Sequence, residues 1–396
     1  MLNLSNLHQI MVDYRRHFHQ YPEVSYDEVN TRKYIIKELE NLGLKPFTFS
    51  GKDVAVEIAG QQPGKTVIIR ADMDALPVFE ETGLPFSSKI DGVMHACGHD
   101  GHMAILLGLI HYFKEHPDKI VGKIRFLFQH AEEDVPAGAI EVVKSGGLKD
   151  ADAIFGFHLW EPLELGKIGV RSGPTMAGCD KFTLSIFGNG GHGSMPNETV
   201  DPTIIAAQFI TQIQTIVSRS LHPLEHAVIS IGELKSGTNY NVIPDTAYIA
   251  GTVRQFGKEI AEKIHNRMDK IISGLCESFG AKYQLEYLHG DPTLVNDDEL
   301  YKMVKKIAIQ LFGEKRVEEI NPILGSEDFS NYTEVIPGMY TYIGIGRPGE
   351  TYGHHHPKFD IDESMLVPAA TLISQSVIHF LAGKEESINL YQANNI

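Results

Sequence analysis

The segment HACGHDGH, residues 95–102, places three histidines and one cysteine within eight residues. Thiolate and imidazole are the ligands that borderline-soft divalent ions such as zinc prefer. The glycines of the segment let the backbone turn sharply and approach other groups closely. The alternative is a helix N-terminus with a capping aspartate and solvated histidines, which is how single histidines usually occur. Because cysteine and histidine occur together here, a metal site is the preferred interpretation.

Two groups of carboxylates follow apolar runs. Glu132, Glu133 and Asp134 come after KIRFLFQ, while Asp72 and Asp74 end VIIRADMD. Open α/β sheets place their sites at the C-terminal ends of strands. There, one glutamate could bind a metal while its neighbour activates a water, and an aspartate could orient a ligand imidazole. Either group could instead mark a strand that reaches solvent or a turn before a proline.

Two further histidine sites are ambiguous when each is considered alone. His158 is a lone polar residue in the apolar run AIFGFHLW, where a core histidine with satisfied hydrogen bonds is the usual explanation. His354, His355 and His356 form part of YGHHHPKFD, where a metal ligand competes with an exposed histidine-rich loop. The case for a site is the combination, because every group lies at a strand end or in a loop of one predicted domain.

The elements that must position these residues alternate between helix and strand. Apolar periodicity predicts a helix over 7–43, strands at 54–60, 66–74, 122–134 and 153–160, and a helix over 101–116. This alternation indicates an α/β fold with a mostly parallel sheet. From Lys181 the order becomes strand, helix, strand, strand, helix, strand, the split βαβ pattern of a ferredoxin-like α+β module. Alternation of helix and strand resumes from Asp291.

The simplest architecture is one α/β domain interrupted by another. The catalytic domain is predicted at residues 1–180 and 292–396, and the inserted domain at residues 181–291. A chain of 396 residues suits two domains better than one. The final AGKEESINLYQANNI is predicted to be a frayed tail.

The composition excludes several classes of protein. A formal net charge of −16 argues against nucleic-acid binding, which needs a basic face, and against anionic membrane surfaces. No stretch approaches the ~20 apolar residues that would span a bilayer, and the polar start lacks the apolar core of a signal peptide. Three cysteines are too few for a disulfide framework. These features together predict a cytoplasmic protein.

Nine motifs, in this order, resemble the aminoacylase and amidohydrolase branch of the co-catalytic zinc metallopeptidase superfamily. They are RRHFHQYPEVSYDE, RADMDALP, HACGHDGH, HAEED, FGFHLW, GGHGSMP, NVIPD, GSEDF and HHHPKFD. The branch includes hippurate hydrolases, N-acetyldiaminopimelate deacetylases and auxin-conjugate hydrolases, and the resemblance covers essentially the whole chain. It implies a mostly parallel-sheet metallopeptidase catalytic domain, an inserted ferredoxin-like domain for dimerisation and lid closure, and a homodimer.

The resemblance also implies a role for each site residue. Two divalent ions per subunit, zinc or manganese with cobalt or nickel as alternatives, would be held by Cys97, His99, Glu133, His158 and His355. Cys97 would bridge the two ions. Glu132 would be the general base and acid, and Asp74 would support the site. Asp72 stands where related peptidases carry a ligand histidine, a departure for which His99 compensates.

The inserted domain and the segment after it would supply the substrate contacts. His192 would stabilise the oxyanion, Asn241 and Arg254 would bind the substrate carboxylate, and Glu327 would line or order the pocket. Taken without the family, His192 is better explained as a loop histidine, and Arg254 equally well as an exposed strand arginine.

The function implied is metal-dependent hydrolysis of the amide bond of small N-acyl amino acids. A dipeptidase or carboxypeptidase on the same scaffold is the close alternative. A metal-buffering or ligand-binding protein would lack the base or a ligand, whereas Glu132 and the five ligand residues are all present.

Overall fold

The computed structural model describes residues 4–347, 349 and 352–383. Its α-helices are α1 (His8–Gln20), α2 (Val29–Asn41), α3 (His99–Glu115), α4 (Gly138–Lys144), α5 (Pro202–Thr215), α6 (Lys258–Phe279), α7 (Asp298–Phe312), α8 (Ser330–Thr333) and α9 (Leu366–Ala382). Its strands are β1 (Val54–Ala59), β2 (Gln62–Asp72), β3 (Val121–Gln129), β4 (Ala153–Glu164), β5 (Ile168–Val170), β6 (Gly173–Met176), β7 (Gly178–Phe187), β8 (Gly191–His192), β9 (Ala227–Ser236), β10 (Val242–Ile243), β11 (Thr246–Gln255), β12 (Lys282–His289), β13 (Leu294–Asn296), β14 (Val317–Glu319) and β15 (Gly338–Gly346).

The described chain divides into two compact units. The first unit contains the described residues of Met1–Gly173, Val295–Asn321 and Asn331–Ile396. The second unit contains Pro174–Leu294 and Pro322–Ser330. The insertion predicted at 181–291 lies within the second unit, which also includes a short segment from later in the chain.

The first unit is built on a seven-stranded sheet in the order β1-β3-β2-β4-β15-β5-β14. The central strands β3, β2, β4 and β15 run parallel, whereas β1 pairs antiparallel with β3, and β5 antiparallel with β15. The helix α3 packs against α1, α9 and β2. Its sequence MAILLGLI is apolar on all sides, which is typical of a buried helix, and these side chains are fully buried. The predicted α/β class with a mostly parallel sheet is therefore confirmed.

The second unit contains an antiparallel sheet in the order β12-β7-β11-β9, together with α5 and α6. The predicted order of strand, helix, strand, strand, helix, strand is confirmed by β7, α5, β9, β11, α6 and β12. Ile264, Met268, Ile272 and Leu275 lie at helical spacing on α6 and are buried. The helix ends at Gly280, whose φ of +72° is the left-handed conformation of a helix C-cap.

The prediction of one helix over residues 7–43 is wrong. The helix α1 ends at Gln20, α2 begins at Val29, and Pro22 lies between them. A proline disfavours the helical conformation of the residue before it, and Tyr21 has the non-helical angles φ −129° and ψ 56°. The break lets the carboxylate of Glu23 accept hydrogen bonds from the first turn of α2.

The strand predicted at 122–134 is also too long, because β3 ends at Gln129. Ala131 has a φ of +49°, which is uncommon for a residue with a Cβ. Its N–H donates to the carboxylate of Glu28 at 2.7 Å, and the N–H of Glu133 donates to Asp74 at 2.9 Å. The two glutamates therefore lie on a turn whose backbone is held by two buried carboxylates.

One helix, Glu363–Ala382, has the length and composition of a membrane-spanning helix. It includes the polar residues Glu363, Gln375 and His379, so it does not contradict the expectation that no stretch approaches ~20 apolar residues. In addition, 56% of the helix window is buried inside the protein, and core helices pass the same test. Of the predicted C-terminal tail, residues 384–396 lie outside the described residues.

Candidate metal centre

Cys97 lies at the centre of a cluster of potential metal ligands in the first unit. Its Sγ is 3.5 Å from Nε2 of His158. Ligand atoms of Cys97, His99 and His158 lie within 4.8 Å of one another, and so do those of Cys97, Glu133 and His355. The five predicted metal ligands therefore converge on one place, although they come from the segment that leads into α3, the start of α3, the turn after β3, the strand β4 and the loop after β15.

The rings of His99 and His158 each present one nitrogen to this cluster. Nδ1 of His99 donates to the backbone oxygen of Asp74 at 2.9 Å. Nδ1 of His158 donates to the backbone oxygen of Leu159 at 2.9 Å. Because a backbone carbonyl accepts the Nδ1 proton of both rings, Nε2 is the nitrogen that can offer a lone pair to a metal when the ring is neutral.

Of the three adjacent histidines after β15, His355 is the one whose ring reaches the cluster. Its Nε2 lies 3.1 Å from Oε1 of Glu133. Nε2 of His354 instead accepts the N–H of Glu161 at 3.1 Å, and Nδ1 of His356 accepts a backbone N–H two residues further on. The geometry therefore agrees with the choice of His355, whose role as a ligand stays a prediction.

The carboxylates around the cluster create a negative potential that a bound cation would neutralise. Burial, with the neighbouring charges of Glu133, Glu132 and Asp72, raises the pKa of the Cys97 thiol well above its usual value. Burial alone would lower the pKa of the His99 ring. The charge of Asp72 and the contact with the carboxylate of Asp74 outweigh burial and raise this pKa to about 10. The buried Nε2 of His99 has no hydrogen-bond partner among the described residues. A thiolate, three imidazoles and a carboxylate around such a position form a donor set that fits divalent metal ions.

Asp74 connects several parts of this cluster. Its backbone oxygen holds His99, while its Oδ2 accepts from Ser25 Oγ at 2.7 Å and from the N–H of Glu133 at 2.9 Å. Burial alone would raise the pKa of Asp74, but its contacts, first among them the ring of His99, lower it. Asp74 thus contacts one potential ligand directly and fixes the backbone of another.

Glu132 lies beside Glu133 on the turn after β3. Its side chain is half-buried. Ligand atoms of His99, Glu132 and Glu133 fall within 4.8 Å of one another. Glu132 is therefore close enough to exchange a proton with a group bound at the cluster.

A buried charge network next to the cluster was missed in the sequence. Arg15 donates to Asp100, Asp360 and Glu363, and Nδ1 of His19 lies 2.8 Å from the same oxygen of Asp100. These carboxylates belong to segments that also carry potential metal ligands. The signal in the sequence was the spacing of four residues between the arginine and the histidine of RRHFH, which places both on one face of α1.

Two of the predicted substrate-binding residues come together in the second unit. The strands β8 and β10 pair with Val242 opposite His192, and the N–H of Gly193 donates to the backbone oxygen of Asn241 at 2.9 Å. His192 and Asn241 are both exposed. They therefore lie side by side on the surface of this unit.

The other two predicted substrate-binding residues also belong to the second unit. Arg254 on β11 is half-buried, and its Nη1 donates to Ser326 Oγ at 2.9 Å. Glu327 follows that serine, is 3% exposed, and accepts the N–H of Phe329 at 3.0 Å. The structure thus brings Arg254 close to the segment that carries Glu327.

Residues 68–379 match the family model "Peptidase family M20/M25/M40". The chain belongs to this family. It is 46% identical over 290 residues to an N-acyl-L-amino acid amidohydrolase of Geobacillus stearothermophilus, covering 73% of this chain and 78% of the relative. It is 41% identical over 362 residues to thermostable carboxypeptidase 1 of Saccharolobus solfataricus, covering 90% and 91% of the two chains.

A solved structure extends the likeness to the fold. The YXEP protein of Bacillus subtilis, described as a dinuclear metal binding peptidase from the M20 family, has a TM-score of 0.84 and 35% identity. The match covers 96% of this chain and 99% of that chain. The resemblance to metallopeptidases of the amidohydrolase type is therefore confirmed.

Proposed function

We propose that the protein is a metal-dependent amidohydrolase that cleaves the amide bond of small N-acyl amino acids. The observation that carries the proposal is the convergence of a thiol, three imidazoles and a carboxylate around Cys97. The relative named N-acyl-L-amino acid amidohydrolase supports the choice of substrate. The neighbour described as a dinuclear metal binding peptidase supports the choice of cofactor.

Five residues would hold two divalent ions per subunit: Cys97, His99, Glu133, His158 and His355, with Cys97 shared between the ions. Zinc or manganese fits this mixed donor set, and cobalt and nickel are alternatives. The bound ions would polarise the amide carbonyl and make a water molecule acidic enough to lose its proton near neutral pH.

Glu132 is the general base and acid of the reaction. Its carboxylate takes a proton from the attacking water and later delivers it to the nitrogen of the leaving amine. This role requires a fixed carboxylate, and the backbone on both sides of Glu132 is anchored to Glu28 and Asp74. Asp74 in addition keeps the ring of His99 in the tautomer that leaves Nε2 free to bind a metal.

The remaining predicted residues would serve substrate binding from the second unit. His192 donates a hydrogen bond to the oxyanion, Asn241 and Arg254 bind the substrate carboxylate, and Glu327 orders the pocket wall. Residues 181–291 act as a dimerisation and lid domain on a catalytic domain formed by residues 1–180 and 292–396. The family resemblance supports this division of roles and the homodimer that it implies.

The cytoplasm is the compartment that suits this chemistry. Cys97, Cys179 and Cys276 are all free thiols, and cysteines are kept reduced in the cytosol.

The test of the mechanism is Glu132→Gln, with Asp134→Asn as the matched control. Asp134 is the exposed carboxylate two residues further on. E132Q should keep the metal content of the parent and lose about 100-fold or more in kcat on N-acetyl- and N-benzoyl-amino acids, because general acid–base catalysis contributes about that much. D134N should resemble the parent. Parent-like turnover by E132Q would refute the assigned base.

A carboxypeptidase or dipeptidase activity is the second candidate, favoured by the relative named thermostable carboxypeptidase 1. The two activities are separated by comparing kcat/KM for N-acyl-amino acids, N-blocked dipeptides and unblocked dipeptides. An amidohydrolase should prefer the first class. A higher kcat/KM on either class of peptide would assign the protein to the alternative.

A further inference from the structure

We infer that His102 is a positioning residue that holds the proposed ligand His158 through the backbone of β4, and that it does not bind metal itself. The inference rests on the proposed metal centre. It concerns the last histidine of HACGHDGH, which lies close enough to Asp72 and His99 to form a possible ligand group with them.

Both ring nitrogens of His102 are already engaged. Nδ1 lies 2.7 Å from Oδ1 of Asp72, and Nε2 accepts the N–H of Leu159 at 3.0 Å. A metal ligand must offer an imidazole lone pair. The lone pair of His102 points at a backbone N–H, and the ring is fully buried. His102 therefore cannot bind a metal without giving up a buried hydrogen bond.

Asp72 decides which nitrogen of His102 carries the proton. Its Oδ2 accepts Nη1 of Arg70 at 2.6 Å while its Oδ1 faces His102. An ionised carboxylate only accepts hydrogen bonds, so the proton of His102 lies on Nδ1 and Nε2 is left as an acceptor. Arg70 is fixed in turn, because its Nε and the hydroxyl of Tyr332 both donate to Oε1 of Gln129.

The N–H of Leu159 needs Nε2 of His102 as its acceptor, because the pairing of β2 with β4 ends before it reaches Leu159. The register of β2 with β4 covers Ala153 to Phe155, and Leu159 lies beyond it. Its N–H is buried, and a buried N–H without a partner costs about 1–3 kcal/mol. His102 supplies the partner that a neighbouring strand supplies earlier in β4.

The same backbone segment orients His158. The carbonyl of Leu159 accepts Nδ1 of His158 at 2.9 Å, which directs Nε2 of that ring towards Cys97. The rings of His102 and His158 also meet edge to face, with centroids 4.8 Å apart. A shift of Leu159 would therefore turn the His158 ring away from the cluster.

A matched pair of variants separates the two hydrogen bonds of His102. In His102→Asn the shorter amide lies near the place of Nδ1, so it can still donate to Asp72 but leaves the N–H of Leu159 without an acceptor. In His102→Gln the longer amide reaches the place of Nε2 and restores that acceptor. Each metal-free full-length variant is titrated with Co²⁺ alone, with affinity taken from chelator competition and coordination from the visible absorption bands.

H102N should bind as many equivalents of Co²⁺ as the parent but about 10- to 100-fold more weakly, the usual loss when a group that orients a metal ligand is removed. H102Q should recover most of that loss. Three results would overturn the inference: parent-like affinity in H102N, the loss of one equivalent of Co²⁺, or equal losses in both variants. The first of these overturns the inference even where the thermal stability of metal-free H102N is lower than that of the parent.

Two further variants keep the test decisive. Cys97→Ala should lose Co²⁺; if it retains the full amount, the proposed metal centre itself fails. If H102N does not fold, Asp72→Asn takes its place. The amide of this asparagine has one oxygen, which faces Arg70, and one NH₂ group, which faces Nδ1 of His102. Because the arginine cannot give up its proton, His102 must accept at Nδ1 and carry its proton on Nε2. That proton then points at the N–H of Leu159, which loses its acceptor. The expected result is the same loss of affinity, and a parent-like affinity would overturn the inference.

Discussion

Replacing Arg15 by methionine should destabilise the first unit far more than the same change at the adjacent Arg16. Arg15 is 1% exposed, and its guanidinium lies 2.9 Å from Asp100, 2.5 Å from Asp360 and 3.2 Å from Glu363. Arg16 is 45% exposed and pairs with the same Glu363 at 2.7 Å. The two variants therefore compare a buried arginine with an exposed one on the same helix.

The expected magnitudes follow from burial. R15M leaves Asp100, which is 1% exposed, without its arginine, and breaking such a buried pair costs about 3–5 kcal/mol. R16M removes an exposed pair that contributes about 0–1 kcal/mol. For a urea slope of about 3 kcal/mol/M, R15M should lower the unfolding midpoint by roughly 1–2 M and R16M by about 0.3 M at most.

The assay is urea unfolding followed by the fluorescence of Trp160. It is the single tryptophan of the chain and lies on β4, so its signal reports the first unit. Excess chelator in every sample removes the stabilising effect of bound metal. Equal midpoint shifts in the two variants, or a shift of less than about 0.3 M for R15M, would refute the reasoning.

Three further predictions test other features of the structure. The variant His355→Ala should lose bound zinc in metal analysis, whereas His354→Ala should retain it, because the ring of His355 reaches the cluster and the ring of His354 faces Glu161. The reverse pattern would contradict the assignment. Gly138→Ala should lower the free energy of unfolding by about 1–3 kcal/mol, because a Cβ there would lie 2.0 Å from a backbone oxygen. Gly274→Ala is the control, because among the described residues no heavy atom beyond its chain neighbours and its own helix backbone lies within 4 Å of the added Cβ. Equal melting temperatures for the two variants would contradict the clash. Although burial alone would raise it, hydrogen bonds lower the pKa of Glu80 to about 2. Its contribution to stability is therefore present above pH ~4.3 and lost as the pH falls towards 2. Glu80→Gln should flatten the dependence of stability on pH in that window, and a slope equal to that of the parent would count against the assigned shift.

The sequence predicted those helices and strands that are determined by residues close together along the chain. The periodicity of α6 and the fully apolar run of α3 are sufficient to identify them, because α6 buries one face whose residues recur at helical spacing and α3 is buried on all sides. The break between α1 and α2 was also signalled locally, by Pro22. The turn at Ala131 was not, because its backbone conformation depends on the carboxylate of Glu28, which lies 103 positions earlier.

The site follows a similar division. Residue type and spacing alone indicated a metal site around Cys97 and His99, whereas the roles of Glu133 and His158 came from the family resemblance. In the sequence, the apolar neighbours of His158 make it resemble a core histidine. Its place in the cluster becomes visible only in the fold, which brings Sγ of Cys97 within 3.5 Å of its ring. Which of three adjacent histidines faces the cluster depends on a backbone φ of +66° at His355, and that angle leaves no periodic signal in a sequence.

The position of β15 between β4 and β5 has a consequence for biosynthesis. Residues 171–337 must be translated before the strand that separates these two can begin to emerge. At about 5–20 residues per second, completing β15 after β4 takes roughly 10 to 40 s. Throughout that time one edge of β4 is an unpaired template to which other chains could add. Aggregation through this edge during synthesis is therefore a risk for the first unit, while the second unit already has most of its sequence available to fold.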